Sequence, residues 1–193
     1  MAVSNRAVDF DRTPTSLRRN FSVIVKSAKK GDPTAQSLLG YCYLKGLGGP
    51  KSYAKAQKWL RKAAAQGEAV AITNLGLMFQ DGTGVTINPR QAVYWYKKAA
   101  RLGDTMAQVN LAVMYLRGTE IRENPSLGVE WLKKAAQKGE SKAMYNLSLA
   151  YLYGVGVKKN LRAAKRHMER AAAAGDRDAK LFLRKRSNEF SPQ

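Results

Sequence analysis

The side chains best suited to catalysis in this sequence are its one cysteine, Cys42, and its one histidine, His167. A thiol becomes a nucleophile when a base and an orienting group lie beside it, and an imidazole can serve as that base. At steps of 36 residues the same two positions carry apolar residues, namely Met78, Met114 and Ala150 for the cysteine and Trp59, Trp95 and Trp131 for the histidine. We therefore predict a core residue at Cys42 and a core or near-core residue at His167.

The acidic residues and the glycine-rich segments offer no further catalytic arrangement. Asp81, Glu120, Glu123 and Glu130 show neither a carboxylate pair nor the spacing of metal ligands. The segments GLGGPKS, GTGVTIN, GTEIREN and GVGVKKN resemble phosphate-binding loops only superficially, because they lack the strand-to-helix context of a P-loop. The sequence thus predicts a protein that is not an enzyme, with no catalytic residue, no metal site and no cofactor.

All of these residues belong to an internal repeat. Its period of 36 residues is marked by a glycine series: Gly31, Gly67, Gly103, Gly139 and Gly175. Within the first full unit, Ala35, Leu39 and Tyr43 lie at i, i+4 and i+8. A second stretch, AKAQKWLRKAAAQG, carries its apolar residues at the same spacing. Both stretches match one face of an α-helix, so each unit is predicted to be a pair of helices.

Residues that favour helix ends fall between these stretches. The predicted N-caps of the second helices are Ser52, Asn88, Asn124 and Asn160. The pattern predicts an all-α solenoid of 36-residue helix pairs, with about ten helices. Its predicted parts are a disordered lead-in at 1–15 and a single solenoid over 16–190, with a half-repeat at 17–31, repeats at 32–67, 68–103, 104–139 and 140–175, and a closing helix at 176–190.

Residues 35–67 and 71–103 carry a specific motif, A-x-x-x-L-G-x-x-Y-x-x-G-x-G-V followed by A-x-x-W-x-x-K-A-A-x-x-G. This motif resembles the Sel-one-like repeat, a relative of the tetratricopeptide repeat, and the resemblance covers about residues 20–188. It implies a right-handed α/α superhelix that scaffolds protein complexes, with the first helix of each pair lining the concave face. A hydrolase activity has been attached to cysteine-rich members of the family, but this chain lacks their cysteines, so that activity is not implied here.

Two positions depart from the motif. Glu120 stands where Gly48, Gly84 and Gly156 stand in the other linkers, so the third linker is expected to bend differently. Gly128 replaces the alanine that begins the second-helix motif in the other repeats. Glycine is expected to weaken that helix by roughly 1 kcal/mol relative to alanine.

The concave face is mapped onto this sequence by selecting first-helix residues that point away from the internal core. The predicted partner-binding residues are Tyr41, Leu44, Leu77, Val113, Leu116, Tyr145, Leu149 and Tyr153. The mapping also selects Ser37, Lys45, Thr73, Gln80, Asp81, Val109, Arg117 and Leu152. An apolar surface outside the core usually marks a partner site. The leading hypothesis is therefore an adaptor or scaffold that holds a partner peptide or helix in this groove.

The chain is strongly basic, with 34 Lys and Arg against 14 Asp and Glu and a net charge of +20 that gathers toward its two ends. Basic patches are predicted on second helices at Lys55, Lys58, Arg61, Lys62, Arg162, Lys165, Arg166 and Arg170. They are either a solvated outer surface or a means of attracting a protein partner with an acidic segment. Two alternatives stay open: electrostatic binding of nucleic acid or an anionic surface, and a bacterial immunity or effector-type binding protein.

The sequence also bears on location. The N-terminal segment MAVSNRAVDFDRTPTSLRRN has no apolar stretch like the core of a signal peptide. No apolar run approaches the roughly 18 residues of a membrane span. We therefore predict a cytoplasmic protein without a transmembrane segment, and the oligomeric state stays open.

Overall fold

The described part of the chain is helical throughout. In a computed structural model, which describes residues 13–118 and 123–190, these residues form eleven α-helices and a final 3-10 helix, with no strand. The α-helices are Pro14–Arg19 (α1), Phe21–Lys29 (α2), Pro33–Lys45 (α3), Tyr53–Ala65 (α4), Ala69–Asp81 (α5), Pro89–Arg101 (α6), Thr105–Arg117 (α7), Pro125–Gln137 (α8), Ser141–Tyr153 (α9), Leu161–Ala173 (α10) and Arg177–Arg186 (α11). The 3-10 helix spans Ser187–Phe190. The all-α prediction is confirmed. The residues up to Leu75 form one unit, and those from Gly76 form another.

The chain starts with two short helices, α1 and α2, where the sequence predicts one half-repeat helix. Asn20 separates them, because its backbone leaves the helical conformation with φ −94° and ψ 10°. Its side-chain amide donates to the Ser16 hydroxyl at 3.2 Å. Asparagine is a poor residue for a helix interior, since its side chain competes for nearby hydrogen bonds. The described residues therefore hold one α-helix more than the predicted ten.

Helix α1 begins inside the segment predicted as a disordered lead-in. The Thr13 hydroxyl accepts a hydrogen bond from the backbone N–H of Ser16 at 3.3 Å, and Pro14 follows in the first turn, where a missing N–H costs nothing. Leu17 anchors the helix, because its side chain is buried in the core of the first unit beside Ile24 and Leu39. The rest of the predicted lead-in, residues 1–12, lies outside the described ranges.

The helices pack as consecutive pairs. Helix α3 packs on α4, α7 on α8, and α9 on α10, and the successive contacts α2–α3, α6–α7, α8–α9 and α10–α11 join them within each unit. Small residues let paired helices approach closely. A Cβ built on Gly40 of α3 would lie 2.6 Å from Cγ of Leu60 on α4, so no side chain fits there. This pairwise packing is consistent with the predicted solenoid of helix pairs.

Polar side chains cap both helices of the repeat. The predicted caps are confirmed: Ser52, Asn88, Asn124 and Asn160 each accept a hydrogen bond from the backbone N–H three residues later, at 2.9–3.4 Å. The first helices have an equivalent series that the sequence analysis missed. Asp32, Asp104 and Asp176 accept in the same way at 2.6–2.8 Å. Carboxylates suit these sites, since a helix N-terminus carries partial positive charge.

The predicted closing helix at 176–190 corresponds to α11 followed by the 3-10 helix. Phe182 of α11 and Phe190 of the 3-10 helix are buried, with ring centroids 5.7 Å apart. This contact folds the end of the chain against the core of the second unit. The predicted bend at Glu120 falls on residues 119–122, outside the described ranges.

Candidate functional site

Helices α7 and α9 form the walls of an apolar cavity of about 200 Å³, which we call the α7–α9 groove. It is lined by Val113, Leu116, Arg117, Asn146, Leu149, Ala150, Tyr153 and Val155. Four of these, Val113, Leu116, Leu149 and Tyr153, are predicted partner-binding residues. Tyr41, Leu44, Leu77 and Tyr145 are not among its lining residues.

Helical spacing aligns the groove residues on one side of each helix. On α9, Leu149 and Tyr153 are four residues apart, and Val113 of α7 occupies the position of Leu149 one repeat earlier. Another side of the same helices carries Leu111 and Leu147, whose exposed fractions are 0% and 1%. The groove is therefore formed by a side of the first helices that the core leaves uncovered.

Tyr153 is the exposed wall of the groove, with 56% of its surface accessible. Its hydroxyl donates to Oε2 of Glu189 at 3.1 Å, and Nε of Arg186 lies 2.8 Å from the other carboxylate oxygen. Burial, the hydrogen bond and the Glu189 charge all raise the pKa of the Tyr153 hydroxyl, because they disfavour the phenolate. The rim of the groove thus already contacts one carboxylate of the chain itself.

Two first-helix positions are accessible in all four repeats. The first is half-buried in each repeat, at Tyr41, Leu77, Val113 and Leu149. The second, four residues later, is exposed in each, at Lys45, Asp81, Arg117 and Tyr153. In the first unit the ammonium of Lys45 lies 5.9 Å from the ring centroid of Tyr41. The open face is therefore a repeated feature, although its chemistry changes from repeat to repeat.

A third first-helix position is buried in three of the four repeats, contrary to the mapping. The exposed fractions of Ser37, Thr73 and Val109 are only 3%, 3% and 6%. Tyr145, at the same position, is half-buried and packs against the core of the second unit. Burial raises the pKa of its hydroxyl, and the charges of Asp178 and Asp176 raise this pKa further. This side of the first helix is therefore largely covered in the folded chain, and the sequence pattern of a single helix does not reveal such burial.

The fourth mapped position is divided. Leu152 is buried, with an exposed fraction of 4%, so its assignment to the open face is wrong. Leu44 and Leu116, at the same repeat position, are half-buried. Gln80, also at this position, is exposed. Whether a residue at this position is exposed therefore depends on the neighbouring helices and not on the repeat position alone.

The mapping selected Gln80 but omitted two asparagines of the open face, Asn110 and Asn146. Asn146 lines the α7–α9 groove, and its amide donates to the carbonyl oxygen of Lys142 at 2.8 Å. A neighbouring cavity of about 310 Å³ is lined by Gln80, Pro89, Asn110, Val113, Met114 and Arg117. Asparagine recurs at 36-residue steps at Asn74, Asn110 and Asn146. This series is the sequence signal that could have identified the amide position.

Every residue of the predicted basic patches is exposed. On α4, the ammonium of Lys62 lies 4.8 Å from the Trp59 ring centroid, and that of Lys55 lies 5.5 Å from the Tyr43 ring centroid. On α10, Lys165 lies 3.9 Å from Glu169, so part of that patch is paired within its own helix. Exposed pairs and cation–π contacts of this kind contribute little to folding.

The one cysteine and the one histidine are both buried, as predicted. Cys42 is 1% exposed, and burial raises the pKa of its thiol to about 11. His167 is 8% exposed and stacks on Tyr151 with ring centroids 5.7 Å apart and planes 4° apart. Burial lowers its pKa, and the charges of Arg166 and Arg170 lower it further. Neither group is placed to attack a substrate.

Two further absences concern residues 13–118 and 123–190. No group of three or more His, Cys, Asp or Glu side chains in these ranges is arranged to hold a metal ion. No helix in them has the length and apolar character needed to cross a membrane.

Comparison with known proteins points to one family. The Sel1 repeat model matches residues 33–68, 69–104, 105–140 and 141–176, one residue later than the predicted repeats. The structure of a Sel1 repeat protein from Oxalobacter formigenes is 26% identical with a TM-score of 0.81, over 97% of this chain and 82% of that chain. The structure of c5321, a protective antigen present in uropathogenic Escherichia coli strains, is 38% identical with a TM-score of 0.75, over 88% of this chain and 37% of that chain.

A third solved structure is similar in fold alone. The immunity protein Pa5087 from Pseudomonas aeruginosa is 24% identical with a TM-score of 0.64, over 91% of this chain and 68% of that chain. No curated protein matches this chain.

Proposed function

Because the chain belongs to the Sel1 repeat family, we propose that it is a binding module that holds a segment of a partner protein in the α7–α9 groove. Sel1 repeat proteins are generally protein-interaction scaffolds. Beyond this general role, we propose a specific place of binding, a partner of specific chemistry and a location in the cytoplasm.

The observation that carries the proposal is an apolar groove that the core residues of the described ranges do not fill. Val113, Leu116 and Leu149 are half-buried along its walls, and Tyr153 is 56% exposed at its rim. Tyrosine is a favoured anchor in protein interfaces, because it offers a large apolar ring and one polar handle. A groove preformed by two helices also loses little conformational freedom on binding.

The partner segment is proposed to combine apolar and acidic side chains. Arg117 is an exposed cation in the groove lining. Tyr153 already donates a hydrogen bond to a carboxylate, that of Glu189. With a net charge of +20, the chain attracts acidic sequences at long range, which raises the rate of encounter.

The test is a pull-down by the full chain at low and high salt, with nuclease treatment, comparing the wild type with Tyr153→Ala and Leu149→Ala. The matched control is Tyr94→Ala, since Tyr94 is 57% exposed but lies on α6 and does not line the groove. We expect both groove variants to lose the partner and the control to keep it. Equal binding by all four proteins would exclude the groove as the site.

A second candidate function rests on the exposure of the basic patches. In this case α4 and α10 bind nucleic acid or an anionic surface. Reversing Arg162, Arg166 and Arg170 to glutamate would then abolish binding, and the affinity would fall steeply with salt. Loss of all captured material on nuclease treatment would favour this function over the groove. A role as an immunity or effector-type protein stays a prediction, because the likeness to Pa5087 concerns the fold alone.

A further inference from the structure

The closing helix continues the repeat positions that line the α7–α9 groove. Arg186 of α11 lies 36 residues after Ala150, which lines the groove. Glu189 of the 3-10 helix lies 36 residues after Tyr153, the exposed residue at the groove rim. A partner segment that extends from the groove past Tyr153 therefore reaches these two charged residues.

The carboxylate of Glu189 is held at both of its oxygens. The hydroxyl of Tyr153 donates to Oε2 at 3.1 Å, and Nε of Arg186 lies 2.8 Å from Oε1. The two donors come from different helices, α9 and α11. Hydrogen bonds to an ionised carboxylate are stronger than those between neutral groups. The chain itself thus shows which chemical group these two donors bind together.

Arg186 has a second contact that does not involve Glu189. Its guanidinium carbon lies 5.8 Å from the centroid of the Phe182 ring, and Phe182 is buried with an exposed fraction of 8%. A cation at this distance is attracted to the face of an aromatic ring. We therefore expect the guanidinium to stay near its position when the Glu189 carboxylate leaves. Donors that are already in place lose little conformational freedom on binding a ligand.

The end of the chain is held by a neighbour of Glu189, so the carboxylate can leave without unfolding it. Phe190 is 9% exposed, belongs to the core of the second unit and packs on Phe182. The contacts of Glu189 lie at the surface, because Tyr153 is 56% exposed and the side chain of Arg186 is 59% exposed. Exposed contacts of this kind contribute little to folding.

We infer that Tyr153 and Arg186 form a carboxylate receptor at the end of the α7–α9 groove, and that an acidic side chain of the partner segment displaces Glu189 from it. The inference rests on the proposed function and adds its acidic anchor point. Arg186 becomes a binding residue, and Glu189 becomes an internal competitor. The competitor lowers the apparent affinity, because only molecules with a free receptor can bind the acidic side chain.

The first experiment titrates an acetylated Leu-Leu-Glu-Glu peptide with an amidated C-terminus into the full chain, so that its only carboxylates are side chains. Glu189→Gln removes the charge of the internal competitor with little change of shape. We expect this variant to bind the peptide about fivefold more tightly than the wild type, which corresponds to one hydrogen bond. Equal affinity of the two proteins, or no measurable binding by Glu189→Gln, would overturn the inference.

Two further variants separate the receptor from a general effect of charge. The matched control is Glu169→Gln, which makes the same change of charge at a carboxylate that also pairs with a nearby cation, Lys165 at 3.9 Å. This control should bind the peptide like the wild type. Adding Arg186→Gln to Glu189→Gln should abolish the gain in affinity, because it removes one of the two donors. Equal gains in Glu169→Gln and Glu189→Gln would contradict the receptor.

Leu149→Ala distinguishes this inference from the proposed function, because Leu149 lines the groove and is not part of the receptor. Weaker binding by Leu149→Ala, together with no gain in Glu189→Gln, would leave the groove standing and overturn the receptor alone. A gain in Glu189→Gln, together with unchanged binding by Leu149→Ala, would support the receptor and count against the groove.

A second experiment uses the wild-type chain labelled with ¹⁵N, so that it stands even if a variant does not fold. The acidic peptide should shift the backbone amide signals of Glu189 and Phe190, because it displaces the Glu189 carboxylate. A Leu-Leu-Gln-Gln peptide should leave both signals in place. Binding of the acidic peptide without a change in these signals, or equal shifts by the two peptides, would contradict displacement.

Discussion

Gly128 of α8 lies against Ala112 of α7 so closely that a Cβ on Gly128 would be 2.9 Å from the Ala112 carbonyl oxygen. The first two pairs reverse the arrangement, with glycine on the first helix at Gly40 and Gly76. In the fourth pair the first helix carries Ser148, whose hydroxyl donates to the carbonyl oxygen of Ala164 at 2.6 Å. The glycine that departs from the motif therefore compensates for the alanine opposite it.

Gly128→Ala is accordingly expected to destabilise the protein, although alanine favours a helix by roughly 1 kcal/mol. The added methyl group meets backbone, which cannot move aside cheaply, so we expect a net loss of about 1 kcal/mol. Urea unfolding measures this change. Adding Ala112→Gly should not recover the loss, because the close atom is the backbone carbonyl oxygen of residue 112, which glycine keeps. A Gly128→Ala variant that is more stable than the wild type would show that the contact with Ala112 leaves room for a methyl group.

The cap at Asn160 provides a second stability prediction. Its side-chain oxygen accepts a hydrogen bond from the backbone N–H of Ala163 at 2.9 Å. Asn160→Ala should cost about 1 kcal/mol, whereas Asn160→Ser, which keeps an acceptor, should cost only a few tenths. Thermal unfolding of the two variants side by side is the measurement. Equal losses would mean that the side chain acts through something other than the cap.

Residues whose partners lie nearby in sequence were predictable, and residues whose partners lie in another helix pair were not. The side chains of Ser52 and Asn88 accept hydrogen bonds from backbone N–H groups only three residues later, so the local sequence is enough to predict these caps. The spacing within α7 shows which residues share a side of the helix but not what covers that side. Val109 was therefore assigned to the open face although it is buried. Its burial depends on helices elsewhere in the array.

His167 should make stability depend on acidity. Its folded pKa lies below the ordinary value of 6.5, so below that value the unfolded chain binds a proton that the folded chain does not. The stability that depends on this residue is therefore complete above pH 6.5 and falls as the pH decreases below it. His167→Phe keeps an aromatic ring beside Tyr151 and removes the titration. Because the chain has one histidine, the difference between the two pH curves reports this residue alone.

Cys42 should respond at the alkaline end. Burial raises its pKa from 9.0 to about 11, so between these values the unfolded chain has lost a proton that the folded chain keeps. The stability due to this thiol is complete below pH 9 and is lost as the pH rises toward 11. Cys42→Ala, which carries the residue found at Ala150, should show a shallower alkaline decline than the wild type. A disulfide-exchange reagent should label the thiol only after unfolding.

The most direct measurement of the central claim is site-specific photo-crosslinking from within the α7–α9 groove. A photoreactive phenylalanine analogue would replace Leu149 in one protein and Tyr94 in another, and the cross-linked peptides would be sequenced by mass spectrometry. We predict that position 149 captures one partner segment with apolar and acidic side chains, and that position 94 does not. Capture of the same segment with equal yield from both positions, or of nucleic acid alone, would contradict the account.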